Sequence, residues 1–255
     1  MKQCVCMIAL LAVLCVPATA TVSWAASAAP LPEALAALQS DDEVTVTRRW
    51  VWLWRDFYYA FDPVGELSGT GFVFYPGGAV DPRSYAPFAR AIAREGYRVI
   101  IVSMPLDLAI FGWKRAIWTA VLNRDIDTWV IGGHSFGGSM ACRFAQQFPE
   151  RIAGVCLWAS YPSESFRIDD QDLAVTSIYG SLDGLVSLAE IDENRPYLPA
   201  DTVYRKIKGG NHTQFGWYDP GTPDGLQEGD NPAGISREQQ QQQVVAATVE
   251  FLARQ

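Results

Sequence analysis

A serine hydroxyl becomes a useful nucleophile only when a base takes its proton, and this 255-residue chain has two histidines, His134 and His212. Ser135 stands in Gly133-His134-Ser135-Phe136-Gly137, a G-x-S-x-G pattern. Such a serine sits on a tight strand-to-helix turn whose backbone is strained, and side chains at the flanking glycines would collide there. The turn lifts the hydroxyl out of the sheet at a helix N-terminus, where the Phe136 amide can stabilise a developing oxyanion. His134 adjoins Ser135, and neighbours on a sharp elbow point in different directions. That leaves His212, in Lys208-Gly-Gly-Asn-His212, as the base. A carboxylate must hold the other imidazole nitrogen. Asp183, in Tyr179-Gly-Ser-Leu-Asp183-Gly, is the best placed. Asp169, Asp170 and Asp172 precede the adjacent strand and belong at the far end of the sheet, whereas Glu190 and Asp192, on a following helix, are the rivals. The three stand in the chain order nucleophile, acid, base, each just after a strand. The plainer alternative is a glycine-rich turn with an incidental serine and a surface histidine.

These side chains need a scaffold that delivers all three to one edge. Eight runs read as strands: 44–54, 56–61, 71–75, 98–104, 128–132, 154–159, 174–179 and 202–207. Helical spacing appears at 31–38, 85–95 (closed by Gly96), 111–122 and 136–148 (stopped by Pro149). A closing helix starts at Ser236, where Ser236 and Gln239 fit a capping box and Val245, Val249 and Leu252 supply an apolar face. Short apolar strands alternating with helices predict α/β architecture, a mainly parallel sheet of about eight strands with helices on both faces. Gln239–Gln243 reads as the solvated face of that last helix, and the acidic Gly/Pro-rich run 219–232 as a solvated, mobile loop. The aromatic run 49–59 reads as edge strands rather than a carbohydrate or lipid platform.

Composition removes other classes. The chain is 49% hydrophobic and 19% charged, which excludes disorder, and its formal net charge of −8 without basic clusters argues against nucleic acid. From Gln3 to Pro32 no residue is charged, and Val5–Val16 is a continuous apolar run followed by Ala18-Thr-Ala20. This predicts a signal peptide over residues 1–28, cleaved at Ala20 or Ala28, then a single domain over 29–255. Export follows, with an uncleaved membrane anchor as the alternative. Cleavage leaves Cys142 and Cys156, expected as buried free thiols. No cysteine or histidine spacing fits a metal site, and no cofactor is expected.

Four segments, Phe74-Tyr-Pro-Gly-Gly, Gly132-Gly-His-Ser-Phe-Gly-Gly, Tyr179-Gly-Ser-Leu-Asp-Gly and Gly209-Gly-Asn-His-Thr-Gln-Phe-Gly, give the chain its likeness to a known family. It resembles the α/β-hydrolases over about Arg48–Leu252, most of all the small cap-less bacterial enzymes of dienelactone-hydrolase and carboxylesterase type. The resemblance implies Ser135 as nucleophile, Asp183 as orienting acid and His212 as base. The family often places His-Gly before its second oxyanion amide, where this chain has Pro76-Gly77-Gly78. Proline has no N–H, so Gly78 is the choice, with Gly77 and Ala79 open. The family often inserts a lid before the acid loop, and here one helix, two strands and a connection use up that stretch, so no large cap is expected. Met104, Trp158, Tyr161 and Phe215 are candidates for an acyl pocket, with core packing the rival reading for each. The expected activity is an exported serine esterase acting on a small-molecule ester. The alternatives are an acyltransferase, thioesterase or amidase with the same triad, or a non-catalytic binding protein on the fold.

Overall fold

The computed structural model describes residues 27–51 and 56–255. The expected signal peptide therefore lies almost wholly outside the described residues, as do residues 52–55 of the aromatic run. Eight strands form one sheet: β1 (Val44–Val51), β2 (Asp56–Pro63), β3 (Thr70–Tyr75), β4 (Arg98–Val102), β5 (Thr128–His134), β6 (Gly154–Trp158), β7 (Ala174–Gly180) and β8 (Val203–Ile207). Their spatial order is β1-β2-β4-β3-β5-β6-β7-β8. β2 runs antiparallel to both of its neighbours, and every pairing from β4 to β8 is parallel.

The helices are α1 (Pro32–Ala36), α2 (Ala86–Arg94), α3 (Ala116–Leu122), α4 (Phe136–Gln147), α5 (Leu188–Asn194) and α6 (Arg237–Leu252). Alternation along the strands builds a core on each face of the sheet. Phe72, Phe74, Val99, Ile101, Cys156 and Trp158 pack toward α2 and α6. Val73, Tyr75, Ile100, Val102, Val155 and Leu157 pack toward α3 and α4. Between β6 and β7 only a short 3-10 turn, Glu164–Phe166, intervenes, so no large cap is inserted there.

Several boundaries differ from the sequence reading. The expected helix 111–122 is a 3-10 turn, Ala109–Phe111, followed by α3 from Ala116. The capping box of Ser236 and Gln239 forms, and the core-facing stripe of α6 takes in Val244, Thr248, Phe251 and Leu252, with Val245 and Val249 half-buried against the same core. The glutamine run is not wholly solvated, because Gln240 is fully buried. Its side chain accepts from the Asn211 N–H at 3.0 Å and donates to the Asn211 carbonyl at 2.8 Å. The ordered fold is already engaged at Ser27 and Ala28. Ala28 N–H donates to the Ala79 carbonyl at 2.8 Å, and Ser27 Oγ donates to Asp107 Oδ2. Among the described residues the cysteines, Cys142 and Cys156, are free and buried.

Candidate active site

The elbow between β5 and α4 is where sequence and backbone meet most directly. Ser135 has φ 52 and ψ −125, a left-handed conformation that a side-chain-bearing residue adopts only at a cost. Close approach explains the glycines. A Cβ on Gly137 would lie 2.3 Å from the carbonyl oxygens of Tyr75 and Pro76, and one on Gly133 would lie 2.6 Å from the Gly137 backbone. The turn is held from β6: Ser135 N–H donates to the Trp158 carbonyl at 2.9 Å, and Ser160 Oγ donates to the Ser135 carbonyl at 2.6 Å. Ser135 itself is half-buried at the carboxyl edge of the sheet.

Asp183 follows β7 and His212 follows β8, so both arrive at that same edge. His212 Nδ1–H donates to Asp183 Oδ2 at 2.9 Å, and both side chains are enclosed. Asp183 Oδ1 is fixed in turn by the Leu185 and Val186 amides, at 2.9 and 2.7 Å. The rival carboxylates are engaged elsewhere. Glu190 caps α5 through Ser187 and accepts from Tyr161 Oη, Asp192 pairs with Arg195, and Asp169 pairs with Arg167. The His212 ring stands 4.5 Å, centroid to centroid, from that of His134, immediately beside the elbow. Its Nε2 is buried and has no hydrogen-bond partner among the described residues. Ser135 Oγ does not close that bond here. Catalytic hydrogen bonds are commonly long before substrate binds.

The loop after β3 faces the elbow. A Cβ on Gly78 would stand 3.5 Å from Phe136 Cβ. Gly77 N–H donates to Tyr85 Oη at 3.0 Å, and Ala79 N–H donates to the Asp107 carbonyl at 2.9 Å. Of the three amides left open by the sequence, only that of Gly78 has no acceptor among the described residues. The Phe136 amide, at the start of α4, is likewise without one. Tyr85 Oη is also joined to His134 Nδ1 at 2.9 Å, so His134 braces this loop instead of serving as a base. Burial, reinforced by His212, pushes the His134 pKa well below its usual value and keeps the ring neutral.

The pocket candidates separate. Trp158 is core: its ring lies 4.5 and 4.7 Å from Phe74 and Phe88, and its Nε1–H donates to Thr248 Oγ1 at 3.2 Å. Met104 is likewise buried in the opposite core. Phe215 is fully buried and stacked on His134 at 5.5 Å, behind the histidines. Tyr161 is half-buried beside the α5 cluster.

One residue escaped the sequence reading. Asp230 lies in the loop expected to be mobile, yet Oδ1 accepts from the amides of Gly184 (3.0 Å) and His212 (3.2 Å). Oδ2 accepts from Thr213 N–H and Thr213 Oγ1, both at 2.7 Å. Asp230 therefore ties the Asp183 loop to the His212 loop. Its signal was an acid among turn-forming residues, which in sequence resembles ordinary solvated loop.

Fold and site together define a known class. The family model described as "Alpha/beta hydrolase family" matches residues 71–242, and the chain belongs to that family. Among solved structures it is similar to a predicted CIB-like hydrolase from Thermoplasma acidophilum, at 15% identity and TM-score 0.60 over 83% of this chain and 100% of that one. Dienelactone hydrolase from Anabaena variabilis aligns at 14% identity and TM-score 0.60, covering 83% and 98%. The carboxylesterase EstE1, cloned from a metagenomic library, aligns at 14% identity and TM-score 0.56, covering 86% and 93%. At such identities the likeness is one of fold. No curated protein sequence matches the chain.

Proposed function

We propose that this protein is an exported serine hydrolase that cleaves carboxylic esters through an acyl-enzyme on Ser135. The observation that carries the reading is the buried Asp183–His212 hydrogen bond with a free Nε2, set beside a strained serine at a helix N-terminus. Ser135 Oγ attacks the ester carbonyl and passes its proton to His212 Nε2. Asp183 holds the ring by Nδ1–H and stabilises the imidazolium. The amides of Gly78 and Phe136 receive the negative charge that develops on the carbonyl oxygen. His212 then gives its proton to the departing alkoxide, and the alcohol leaves. Water, deprotonated by His212 in the second half, releases the acid and restores the serine.

Labelling by a fluorophosphonate probe tests the nucleophile. Wild type should be labelled and Ser135→Ala should not; equal labelling of the two would sink the proposal. A p-nitrophenyl ester series from acetate to palmitate then reads the acyl preference. Export rests on the uncharged apolar N-terminal stretch. Cleavage after Ala20 is the site that keeps Ser27 and Ala28 in the fold, and N-terminal sequencing of protein recovered outside the cytoplasm checks it.

A further inference from the structure

Helix α3 packs Ala116, Ile117 and Ala120 against the core and leaves a second apolar edge facing solvent. Thr119 and Asn123 point into the protein, each 1% exposed, whereas Trp118, Val121 and Leu122 face outward, Trp118 with 53% of its surface free. Thr119 Oγ1 donates to the Ala116 carbonyl at 2.8 Å and Asn123 Nδ2 donates to the Thr119 carbonyl at 2.6 Å, while Asn123 Oδ1 has no partner among the described residues. A helix on a water-facing surface normally keeps its outer edge polar. Exposed apolar side chains also stand on the two preceding 3-10 turns, Ile110 and Phe111 on Ala109–Phe111 and Leu106, 67% exposed, on Pro105–Asp107. Phe111 and Trp118 line one shared concavity of about 260 Å³ with Lys114 and Arg115. Monomeric surfaces rarely present so many large apolar side chains in one segment without a partner.

From this we infer that residues 105–122 form a docking surface for a phospholipid membrane, placed beside the mouth of the candidate active site. Three observations select a lipid surface. The segment adjoins the oxyanion loop: Leu108 Cδ2 lies 3.7 Å from where a Gly78 Cβ would stand, and Ala79 donates to the Asp107 carbonyl. The part of the uncharged stretch that cleavage after Ala20 leaves, residues 21–32, joins the described fold at this same place through the Ser27–Asp107 hydrogen bond and brings no acid to repel anionic lipid. The charge also fits. In a chain of net charge −8, residues 105–122 carry Lys114 and Arg115 against the single acid Asp107. Tryptophan with lysine or arginine is the pairing that settles at the headgroup boundary, and such cations favour anionic lipid. An ester partitioned into the bilayer would then meet Ser135 without crossing bulk water.

The activity arm of this inference rests on the esterase reading, and the binding arm does not. In the binding arm, hydrogen–deuterium exchange is measured on full-length Ser135→Ala, with and without vesicles of phosphatidylcholine and phosphatidylglycerol. Amides within 105–122 should exchange more slowly with vesicles; unchanged exchange there overturns the proposal. Slowing that instead depends on protein concentration without lipid identifies a second copy as the occupant and also overturns it. In the activity arm, Leu106→Ser/Phe111→Ser/Trp118→Ser should keep turnover of a soluble short-chain ester within about twofold. It should lose about tenfold on a vesicle-borne ester. Equal loss on both substrates, or on neither, overturns the proposal. Slowed exchange in a protein inactive on every ester would keep the docking surface and refute the esterase.

Discussion

His134 is the residue whose chemistry is most constrained by its surroundings. In the unfolded chain it titrates near 6.5, and in the fold burial and His212 hold it well below that value. At pH below 6.5 the unfolded chain binds a proton that the native state refuses, so stability falls as pH falls. This group contributes a slope of at most about 1.4 kcal/mol per pH unit. Urea unfolding of wild type and His134→Gln at pH 7.5 and 5.5 should show a smaller acid loss in the variant; parallel losses would refute the assignment. Asp183→Asn should leave the fold intact and lower kcat by about 10³–10⁴-fold, because the amide no longer fixes the tautomer or supports the imidazolium. Steady-state kinetics with circular dichroism of the variant checks it. Gly137→Ala is different in kind. Its Cβ meets two backbone carbonyls at 2.3 Å, and nothing at the end of a flexible side chain can give way. We expect a loss of about 3 kcal/mol or more, measured by chemical denaturation.

At the scale of elements, the site is an agreement between loops. The elbow belongs to β5 and α4, Asp183 to the loop after β7, and His212 to the loop after β8. Parallel strands bring those loops to one edge, but loops are free to drift unless tied. Two ties come from later in the chain: Gln240 of α6 grips Asn211, and Asp230 joins Gly184 to His212 and Thr213. Asp230→Ala should therefore lower kcat by about 10–100-fold with little change in KM, since it displaces the base without touching substrate. Fluorophosphonate labelling should slow in step. Asp230→Asn should rescue poorly, because one of its two acceptor atoms becomes a donor facing the donors on Thr213. A variant with wild-type kcat would show that the His212 loop holds itself.

For the molecule as a whole, the first described residues belong to the working fold. Ser27 and Ala28 secure the loops that carry Ala79 and Asp107, next to the Gly78 amide. A chain beginning at Thr21 should therefore be more stable than one beginning at Ala29. Together with the Asp81 N–H that donates to the Ala28 carbonyl, three hydrogen bonds are lost, which costs about 1.5–4.5 kcal/mol, a Tm drop of roughly 3–18 °C at this size, readable by calorimetry. Equal Tm values would show that the segment is ornamental.

Much of this architecture was legible in the residues. Alternating apolar strands and capped helices specify a doubly covered sheet, because burial periodicity is a local property of the chain. Gly133-His-Ser135-Phe-Gly137 marks the elbow for the same reason: its steric demand is written into neighbouring residues. With two histidines in the chain and His134 beside Ser135, His212 was the one candidate left for a base. What the sequence could not carry was side-chain direction across distance. Trp158 and Met104 stand at strand ends like pocket residues, yet the pleat turns them into the cores. Asp230 and Gln240 look like solvated loop and helix surface, and only the packing of α6 and the 219–232 loop against the His212 loop makes them structural. The outward stripe of α3 is equally invisible in a linear pattern, since apolar periodicity says that a helix has a face and not which way that face is turned. Periodicity is set by neighbours a few residues apart, whereas orientation is set by contacts that tertiary folding alone brings together.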